Sequence, residues 1–569
     1  MSDNFDLIIR GGTVVDGNGG AAREADVAIS DGRIAEVGTV TAAGREEIDA
    51  KNRIVIPGFV DVHTHYDAQV TWSNQILPSS ANGVTTVLMG NCGVGFAPVR
   101  PEHHDMLISL MEGVEDIPEV VMKEGLPWNW ASFPDYLNSL EGREYDVDVA
   151  TQVPHAALRV FVMGERGANR EEATAEDRAE MARLAAEGMR AGAFGFSTSR
   201  LLQHRTAEGE PIPSYGAAQE ELLEIADALA DVGRGWIQTV GDFEDAIDAE
   251  FDLRRELAER SGMPLTMTLL QKEARPEEWR DLLGRIEQAN AEGLKITAQI
   301  RGRPTSVLLG FELSLNPFSG CHSWAQVKDL DFDARITALR DPSLRARLVS
   351  EPCADALQQR RFQQWDRLFP FGDPPQYEPD PENSVGKQAG RLGVTPAELA
   401  YDLMLEADGR GILYRPTTNY ANGDLAVVHE MLSHPNTLIG LGDGGAHVGV
   451  MCDATDMVHT ISYWTRDRKR GPKLGLEDMV RRLTSANATA IGLTDRGRIE
   501  VGLRADINIV DYDALALPSP KIHYDLPAGG KRLLQQATGI DATLVAGQPV
   551  WRKGQATGAL PGRLLRSRD

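Results

Sequence analysis

Two histidines, His63 and His65, are separated by a single residue at the end of a short apolar stretch that follows Pro57 and Gly58. Side chains two residues apart on a strand point to the same face, so both imidazoles are expected to leave one face together. Two converging imidazoles form half of a divalent metal site, and imidazole suits zinc. A lone His-x-His pair is more often an ordinary pair of histidines, so this interpretation depends on the residues around it.

Asp443 is a second residue whose position predicts chemistry. It ends the apolar stretch that begins at Leu438, and His447 follows it after two glycines and an alanine. A carboxylate at the end of a strand can bind a metal through one oxygen and take a proton from water with the other, then return that proton to a leaving nitrogen. The alternative is an aspartate that only forms a turn before the glycines.

The elements that would position these residues alternate between strand and helix. Strand-like stretches at 193–197, 236–240, 265–270 and 294–300 recur about every 30 residues, which is the length of a βα unit. The class is therefore α/β, and a (β/α)8 TIM barrel is the simplest closure, with its active site at the carboxyl ends of the strands. An open doubly wound sheet is the alternative, but no glycine-rich phosphate loop supports it.

Both ends of the chain read as β structure, so we predict one small β-sandwich domain formed by both termini. Its boundaries are 1–57 plus 497–555, the barrel spans 58–496, and 556–569 is a tail. The arginine-rich part of this tail, 563–568, is expected to fray. Two stretches near 100–150 and 305–395 fit no barrel unit and are interpreted as insertions. They would serve as lids or substrate walls, or as oligomer contacts.

The composition limits the partners. The 569 residues carry a net charge of −26, which disfavours nucleic acid and anionic membranes. No apolar run is long enough to span a membrane, and the acidic start does not resemble a signal peptide. The four cysteines form no CxxC pair, which is typical of a reduced, cytoplasmic protein. We expect a small-molecule substrate, and a homo-oligomer remains an open alternative.

Two motifs resemble a known family. The stretch PGFVDVHTH (57–65) resembles the amidohydrolase superfamily, and GVTTVLMGNCGVGFAP (83–98) resembles its N-acyl-D-amino-acid deacylase branch, which is D-aminoacylase-like. The resemblance implies the barrel with its sandwich domain, a bound zinc and hydrolysis of amide C–N bonds other than peptide bonds. It also implies that Cys92 is a metal ligand and that Asp443 is the general base.

The sequence departs from this family at two positions. Val240 and Leu270 stand where the resemblance implies metal-binding histidines, and neither side chain can bind a metal. Three or four ligands remain, namely His63, His65 and Asp443 with or without Cys92, which is the number that one catalytic zinc with an open water position needs. We therefore predict one zinc per chain, and the two losses argue against a second. The candidates for substitute ligands are Gln238, Asp242, Gln271 and His204.

Further residues are predicted to bind substrate. Lys272 stands where the resemblance implies a lysine for the substrate carboxylate, and Arg301 follows a predicted strand at the same end of the barrel. His155, Ser199 and His447 are expected to line the pocket.

The predicted function is metal-dependent hydrolysis of an amide, by default an N-acyl-D-amino acid or a related N-acyl compound. One alternative is a hydrolase of a cyclic amide, an imide or an ester. An alternative of another class is a catalytically weakened barrel that acts as a binding or scaffold protein, which the two lost histidines would suit.

Overall fold

The computed structural model describes residues 5–243, 246–354, 359 and 361–567, and parallel strands form the centre of this part of the chain. Eight barrel strands follow one another in chain order and pair in parallel. The third of them is split in two, and its second, two-residue part pairs with the fourth strand. These strands are Phe59–Asp61, Val84–Met89, Asp148–Thr151 with Val153–Pro154, Gly195–Arg200, Trp236–Gly241, Leu265–Thr268, Ile296–Ile300 and Thr437–Ile439.

The first and last of these strands are joined, so the sheet closes as the predicted TIM barrel. The Asn487 side-chain amide donates to Val60 O at 2.8 Å and to Ile439 O at 2.7 Å. Beyond the strand ends, Thr64 forms a parallel bridge with Gly444. Closure therefore places the segment after the first strand beside the segment after the eighth.

Helices follow most of the barrel strands, and local sequence signals mark their ends. The helix Ala175–Ala191 begins with a capping box, in which Thr174 and Asp177 each accept a hydrogen bond from the other's backbone N–H. Such a cap stabilises a helix by about 1 kcal/mol. Gly192, with φ 123°, ends the same helix.

The helices of the described residues are Gln69–Trp72, His104–Glu115, Glu119–Gly125, Phe133–Glu141, His155–Met163, Glu165–Ala168, Ala175–Ala191, Gln219–Ala230, Ile247–Ser261, Glu278–Ala291, Phe332–Leu339, Pro342–Ser350, Val385–Leu392, Pro396–Gly409, Ala426–Ser433, Asp456–Ser462, Leu476–Arg481 and Asn487–Ala490.

The two ends of the chain share one sheet with its own core. Its strands are Phe5–Val14, Arg23–Ser30, Arg33–Gly38, Gly44–Asp49, Ile54–Pro57, Ile507–Val510, Ile540–Val545, Gln548–Arg552 and Gln555–Ala556. The strand Ile54–Pro57 pairs with both Phe5–Val14 and Ile507–Val510, which joins the N-terminal strands to the C-terminal ones. The barrel with a β-rich domain from both termini agrees with the sequence prediction, and the exact boundaries at 57 and 497 stay predictions.

The two predicted insertions contain secondary structure of their own. The first contributes the helices His104–Glu115, Glu119–Gly125 and Phe133–Glu141. The second supplies most of a separate hydrophobic core. Its strands Ser306–Leu309 and Phe369–Pro370 pair with the strand Leu413–Pro416, which follows the insertion, in a three-stranded sheet. The strands Lys521–Leu526 and Gly530–Leu534 form a separate two-stranded hairpin.

The tail differs from its prediction, because it is ordered by contacts with the barrel. Gly562 and Leu564 form bridges with Tyr145 and Val149, and the Arg566 side chain pairs with Glu141 at 2.6 Å. Unpaired backbone at the start of the third strand provides these partners, which a composition argument cannot reveal.

Among the described residues, no helix combines the length and the apolar character that crossing a membrane requires. All four cysteines are buried, and no disulfide joins any of them. The cytoplasmic location stays a prediction.

Candidate metal centre

Backbone contacts at the closure of the barrel fix the position of His63 and His65. Thr64 N donates to Leu88 O at 3.0 Å and His65 N donates to Gly444 O at 2.8 Å. The segment is thus held between the second strand and the loop after the eighth. Both imidazoles are buried, with at most 2% of each residue exposed.

Four potential ligand atoms converge at this closure, and we call His63, His65, Cys92 and Asp443 the donor cluster. The His63 Nε2 atom lies 3.3 Å from Cys92 Sγ and 3.5 Å from Asp443 Oδ1. The His65 Nε2 atom lies 3.8 Å from the same Asp443 oxygen. The donor atoms of the two histidines and the cysteine all lie within 4.8 Å of one another.

Two of these distances match neighbouring ligands of a tetrahedral zinc ion. Zinc bonds of about 2.0 Å to nitrogen and about 2.3 Å to sulfur place neighbouring ligand atoms about 3.3 to 3.5 Å apart. The distances from His63 Nε2 to Cys92 Sγ and Asp443 Oδ1 lie in this range, whereas the group of donor atoms that all lie within 4.8 Å of one another does not include Asp443. Histidine, cysteine and aspartate are also the ligand types that zinc accepts.

Cys92 reaches the cluster through a strained turn after the second strand. Its φ is 57°, a left-handed value that only a few per cent of residues other than glycine adopt. The turn is held by Cys92 N, which donates to Gln238 Oε1 at 2.9 Å, and by Asn91 Nδ2, which donates to Thr64 O at 3.1 Å. Backbone strain held by surrounding contacts is typical of functional sites.

Asp443 lies in a loop instead of at a strand end, which differs from the sequence prediction. The eighth strand ends at Ile439, because Leu441 and Asp443 have left-handed φ values of 61° and 43° that break the ladder. Asp443 N donates to His63 O at 3.0 Å, so the loop still delivers the carboxylate to the histidines. Arg301 supports this loop, since Nη2 donates to Leu441 O at 2.8 Å and Nη1 lies 3.8 Å from Asp443 Oδ2.

The same loop requires a glycine at position 442. A Cβ atom there would lie 2.1 Å from the Asp61 carboxylate, which accepts a hydrogen bond from His63 N at 3.1 Å. Asp61 thus packs directly against the backbone of the loop that carries Asp443. Burial raises the pKa of Asp61 to about 8.

The ring nitrogens of the histidines that face away from the cluster meet two acceptors that sequence reasoning missed. His63 Nδ1 lies 2.6 Å from Gln299 Oε1, and His65 Nδ1 lies 3.2 Å from Glu115 Oε1. An amide oxygen can only accept, so Gln299 assigns the proton of His63 to Nδ1 and leaves the lone pair on Nε2. Gln299 was within reach of prediction because it lies on a predicted strand. Glu115 gave no such signal, since it belongs to an insertion.

Burial controls the electrostatics of the site. It lowers the pKa of His63 and lowers that of His65 strongly, so both imidazoles favour the neutral form that binds metals. Burial also raises the pKa values of the Cys92 thiol and the Glu115 carboxyl, and the Asp443 carboxylate adds to both effects. A divalent cation would supply the positive charge that stabilises a thiolate and carboxylates in such a place.

Comparisons with known proteins agree with this geometry. The sequence matches the model of the amidohydrolase family over residues 46–551. This chain belongs to that family. It is 26% identical over 573 residues to D-aminoacylase from Alcaligenes xylosoxydans xylosoxydans, covering 99% of this chain and 98% of the relative. It is 28% identical over 580 residues to N-acyl-D-aspartate deacylase from the same organism, covering 99% and 95%.

A solved structure shows the same fold. It is N-acyl-D-glutamate deacylase from Bordetella bronchiseptica in complex with zinc and a phosphonate inhibitor. The likeness has a TM-score of 0.66 at 22% identity and covers 99% of this chain and 100% of that one. The predicted resemblance to the D-aminoacylase-like branch of the amidohydrolases is thereby confirmed.

In this amidohydrolase Val240 and Leu270 stand where the resemblance implies histidines, and their apolar side chains cannot bind a metal. Val240 is buried and lies directly across the sheet from Ser199. Ser199 Oγ is 2.8 Å from Nδ1 of His204, which brings an imidazole to the same end of the barrel. Burial lowers the pKa of His204 to about 3, and the neighbouring imidazoles of His447 and His63 act in the same direction.

The other candidates for substitute ligands are engaged elsewhere. The Gln238 side chain binds the backbone of Cys92, and Asp242 accepts a hydrogen bond from Leu202 N at 2.8 Å. Gln271 Oε1 accepts from Ala421 N at 3.0 Å. All three side chains therefore bind backbone N–H groups.

The residues predicted to bind substrate take different places. Both ring nitrogens of His155 are engaged, since Nδ1 is 2.8 Å from Thr198 Oγ1 and Nε2 is 2.6 Å from Glu221 Oε1. The Lys272 ammonium lies 3.2 Å from Glu278 Oε1 and 3.8 Å from Asp242 Oδ1. Their roles in substrate binding stay predictions.

Arg301 and His447 lie beside the donor cluster. Arg301 Nη2 pairs with Asp453 Oδ2 at 2.8 Å, so its guanidinium already has carboxylate partners in the chain. His447 has a φ of 52° and its Nε2 lies 3.7 Å from Glu115 Oε2. With 24% of its side chain exposed, it is the more accessible of the two.

Proposed function

We propose that this chain is a zinc-dependent amidohydrolase that cleaves the amide C–N bond of an N-acyl-D-amino acid, with one zinc ion per chain. The observation that carries the proposal is the spacing of 3.3 to 3.8 Å from His63 Nε2 to Cys92 and Asp443 and from His65 Nε2 to Asp443. The D-configured substrate is inferred from the similarity to D-aminoacylase and N-acyl-D-aspartate deacylase.

His63, His65, Cys92 and Asp443 would hold the zinc ion. When bound, such an ion supplies Lewis-acid activation of water and of the amide carbonyl. The histidines remain neutral because burial lowers their pKa values, so protons do not compete for the ligand nitrogens near neutral pH.

Asp443 is proposed to manage the protons of the reaction. Its Oδ1 faces the two histidines, while Oδ2 lies toward Arg301. The carboxylate takes a proton from the attacking water and then delivers it to the nitrogen of the leaving D-amino acid. The Arg301 guanidinium holds the loop that carries this carboxylate, since its Nη2 donates to Leu441 O.

His447 and Lys272 are proposed to bind the substrate. The partly exposed His447 imidazole is placed to donate a hydrogen bond to the acyl carbonyl oxygen, where negative charge develops. The Lys272 ammonium would exchange its contact with Glu278 for the substrate carboxylate. A homo-oligomer is compatible with this arrangement, and no partner other than the small molecule is required.

The proposal is tested by assaying the zinc-loaded protein on N-acetyl-D-amino acids, their L enantiomers, hydantoins, lactams and an ester. We expect kcat/KM to be highest for an N-acyl-D-amino acid and Asp443→Asn to lower kcat by about 10² to 10⁴-fold. Lys272→Met should raise KM, whereas Lys295→Met, at an exposed position, should not.

Two outcomes would overturn the proposal. Faster hydrolysis of a cyclic amide or an ester would assign the alternative substrate class. Zinc binding without hydrolysis of any compound in the panel would assign the protein to binding instead of catalysis.

A further inference from the structure

Glu115 brings a buried carboxylate from the first insertion to the donor cluster. It is the last residue of the helix His104–Glu115 and is 1% exposed. Buried carboxylates are rare unless they are paired. Among the described residues, the only basic side chains within ion-pair distance of Glu115 are the imidazoles of His65 and His447.

The end of this helix is fixed to the loop that follows Asp443. His447 N donates to Glu115 O, and Gly449 N donates to Asp116 Oδ2 at 3.0 Å. Asp116 adopts a left-handed φ of 52°, which turns the chain at this contact. The insertion is therefore attached to the metal centre by backbone as well as by side chain.

The Glu115 carboxylate spans two imidazoles. Its Oε1 lies 3.2 Å from His65 Nδ1, and its Oε2 lies 3.7 Å from His447 Nε2. The opposite nitrogen of His65, Nε2, faces Asp443 Oδ1 at 3.8 Å. His65 thus presents one nitrogen to the donor cluster and the other to Glu115.

The nitrogen that faces Glu115 has no other partner. His65 Nδ1 is buried and makes no aligned hydrogen bond with any described residue, although Glu115 lies within hydrogen-bond distance. Such an alignment is often completed only when the site is loaded. His63 has the corresponding arrangement in finished form, with Nδ1 bound to Gln299.

We infer that Glu115 is a positioning residue for the metal centre: it accepts the Nδ1 proton of His65 and so directs the Nε2 lone pair into the donor cluster. A carboxylate in this role fixes the tautomer and the ring orientation, and it makes the ligand nitrogen more basic. The inference rests on the proposed function only in that a zinc ion occupies the cluster. By this inference the first insertion, which carries Glu115, helps to assemble the metal site.

The test compares Glu115→Leu, which removes the acceptor, with Asp105→Asn, a control on the same helix whose side chain is 84% exposed. Glu115→Gln is the conservative variant, because its amide oxygen can still accept a hydrogen bond as that of Gln299 does. Zinc affinity is measured by competition with a chromophoric chelator, zinc content by elemental analysis, and the His65 tautomer by the ¹⁵N shifts of its ring nitrogens. We expect Glu115→Leu to keep one zinc per chain at saturation while its Kd rises about ten-fold or more and its His65 ring shifts move. Glu115→Gln should lie closer to the wild type, and Asp105→Asn should match it.

Three results would overturn the inference. Unchanged Kd and ring shifts would make Glu115 a structural residue only. Loss of one of two bound zinc ions would make it a direct ligand. Absence of zinc from the wild-type protein would remove both this inference and the proposed function. Zinc binding with the expected Glu115 effect but without amide hydrolysis would overturn the proposed function alone.

Discussion

The hydrogen bond from His63 to Gln299 allows a sharp prediction for the variant Gln299→Leu. The bond is 2.6 Å long and Gln299 is fully buried, so water cannot replace the lost acceptor. Removing the orienting partner of a metal-binding histidine weakens metal affinity about 10 to 100-fold. That range equals about 1.4 to 2.8 kcal/mol, which agrees with the cost of about 1 to 3 kcal/mol for one unsatisfied buried donor.

The fold should be affected much less than the affinity. The Gln299 Nε2 amide is itself buried without a hydrogen-bond partner among the described residues, so leucine removes that unfavourable group along with the acceptor. We expect the unfolding free energy of the zinc-free protein to change by no more than about 1 kcal/mol.

The assay is competition for zinc between the zinc-free protein and a chromophoric chelator, together with thermal unfolding. Gln288→Leu, at an exposed position, is the control and should bind zinc as the wild type does. Gln299→Glu keeps an acceptor for the His63 proton and should restore tight binding. A Gln299→Leu protein with the wild-type Kd would refute the assignment of His63 as a ligand through Nε2.

Two further predictions concern stability. Burial raises the pKa of Asp146 to about 6, above about 3.9 in an unfolded chain. Between these two values the unfolded chain ionises while the folded state keeps its proton, so the folded state loses about 3 kcal/mol as pH rises from about 4 to about 6. Asp146→Asn should remove this loss of unfolding free energy from denaturant curves measured between pH 4 and 8, and Asp105→Asn should leave it. The same dependence of the unfolding free energy on pH in Asp146→Asn as in the wild type would contradict the assignment. Gly442→Ala should cost about 1 to 3 kcal/mol, because its Cβ would lie 2.1 Å from Asp61, whereas Gly284→Ala, with open space around its Cβ, should not destabilise the protein; equal unfolding midpoints would contradict this.

The barrel was predictable from the sequence because its signals are local. The spacing of apolar stretches gives the βα units. The first strand ends at Asp61, however, so His63 and His65 follow it and are positioned by the bridge between Thr64 and Gly444. The loop that carries Asp443 was not predicted. Left-handed residues at 441 and 443 depend on contacts with Arg301 and His63, which lie more than 130 positions away in the chain.

The contacts around the metal centre were less accessible for the same physical reason. Gln299 meets His63 only because the barrel closes, and Glu115 reaches His65 only because its helix docks on the loop at 447–449. His155 has a partner that its motif did not indicate. A buried Glu221 on a later helix engages its ring, and helix packing of this kind has no signature in a single sequence. Its place in the substrate pocket stays a prediction.

The measurement that tests the central claim most directly is the zinc content of the purified protein beside His63→Ala and Asp443→Asn. The donor cluster predicts about one zinc per chain in the wild type and its loss in His63→Ala, with circular dichroism showing that the variant remains folded. No zinc in the wild type after dialysis against the metal, or zinc retained in full by His63→Ala, would contradict the account.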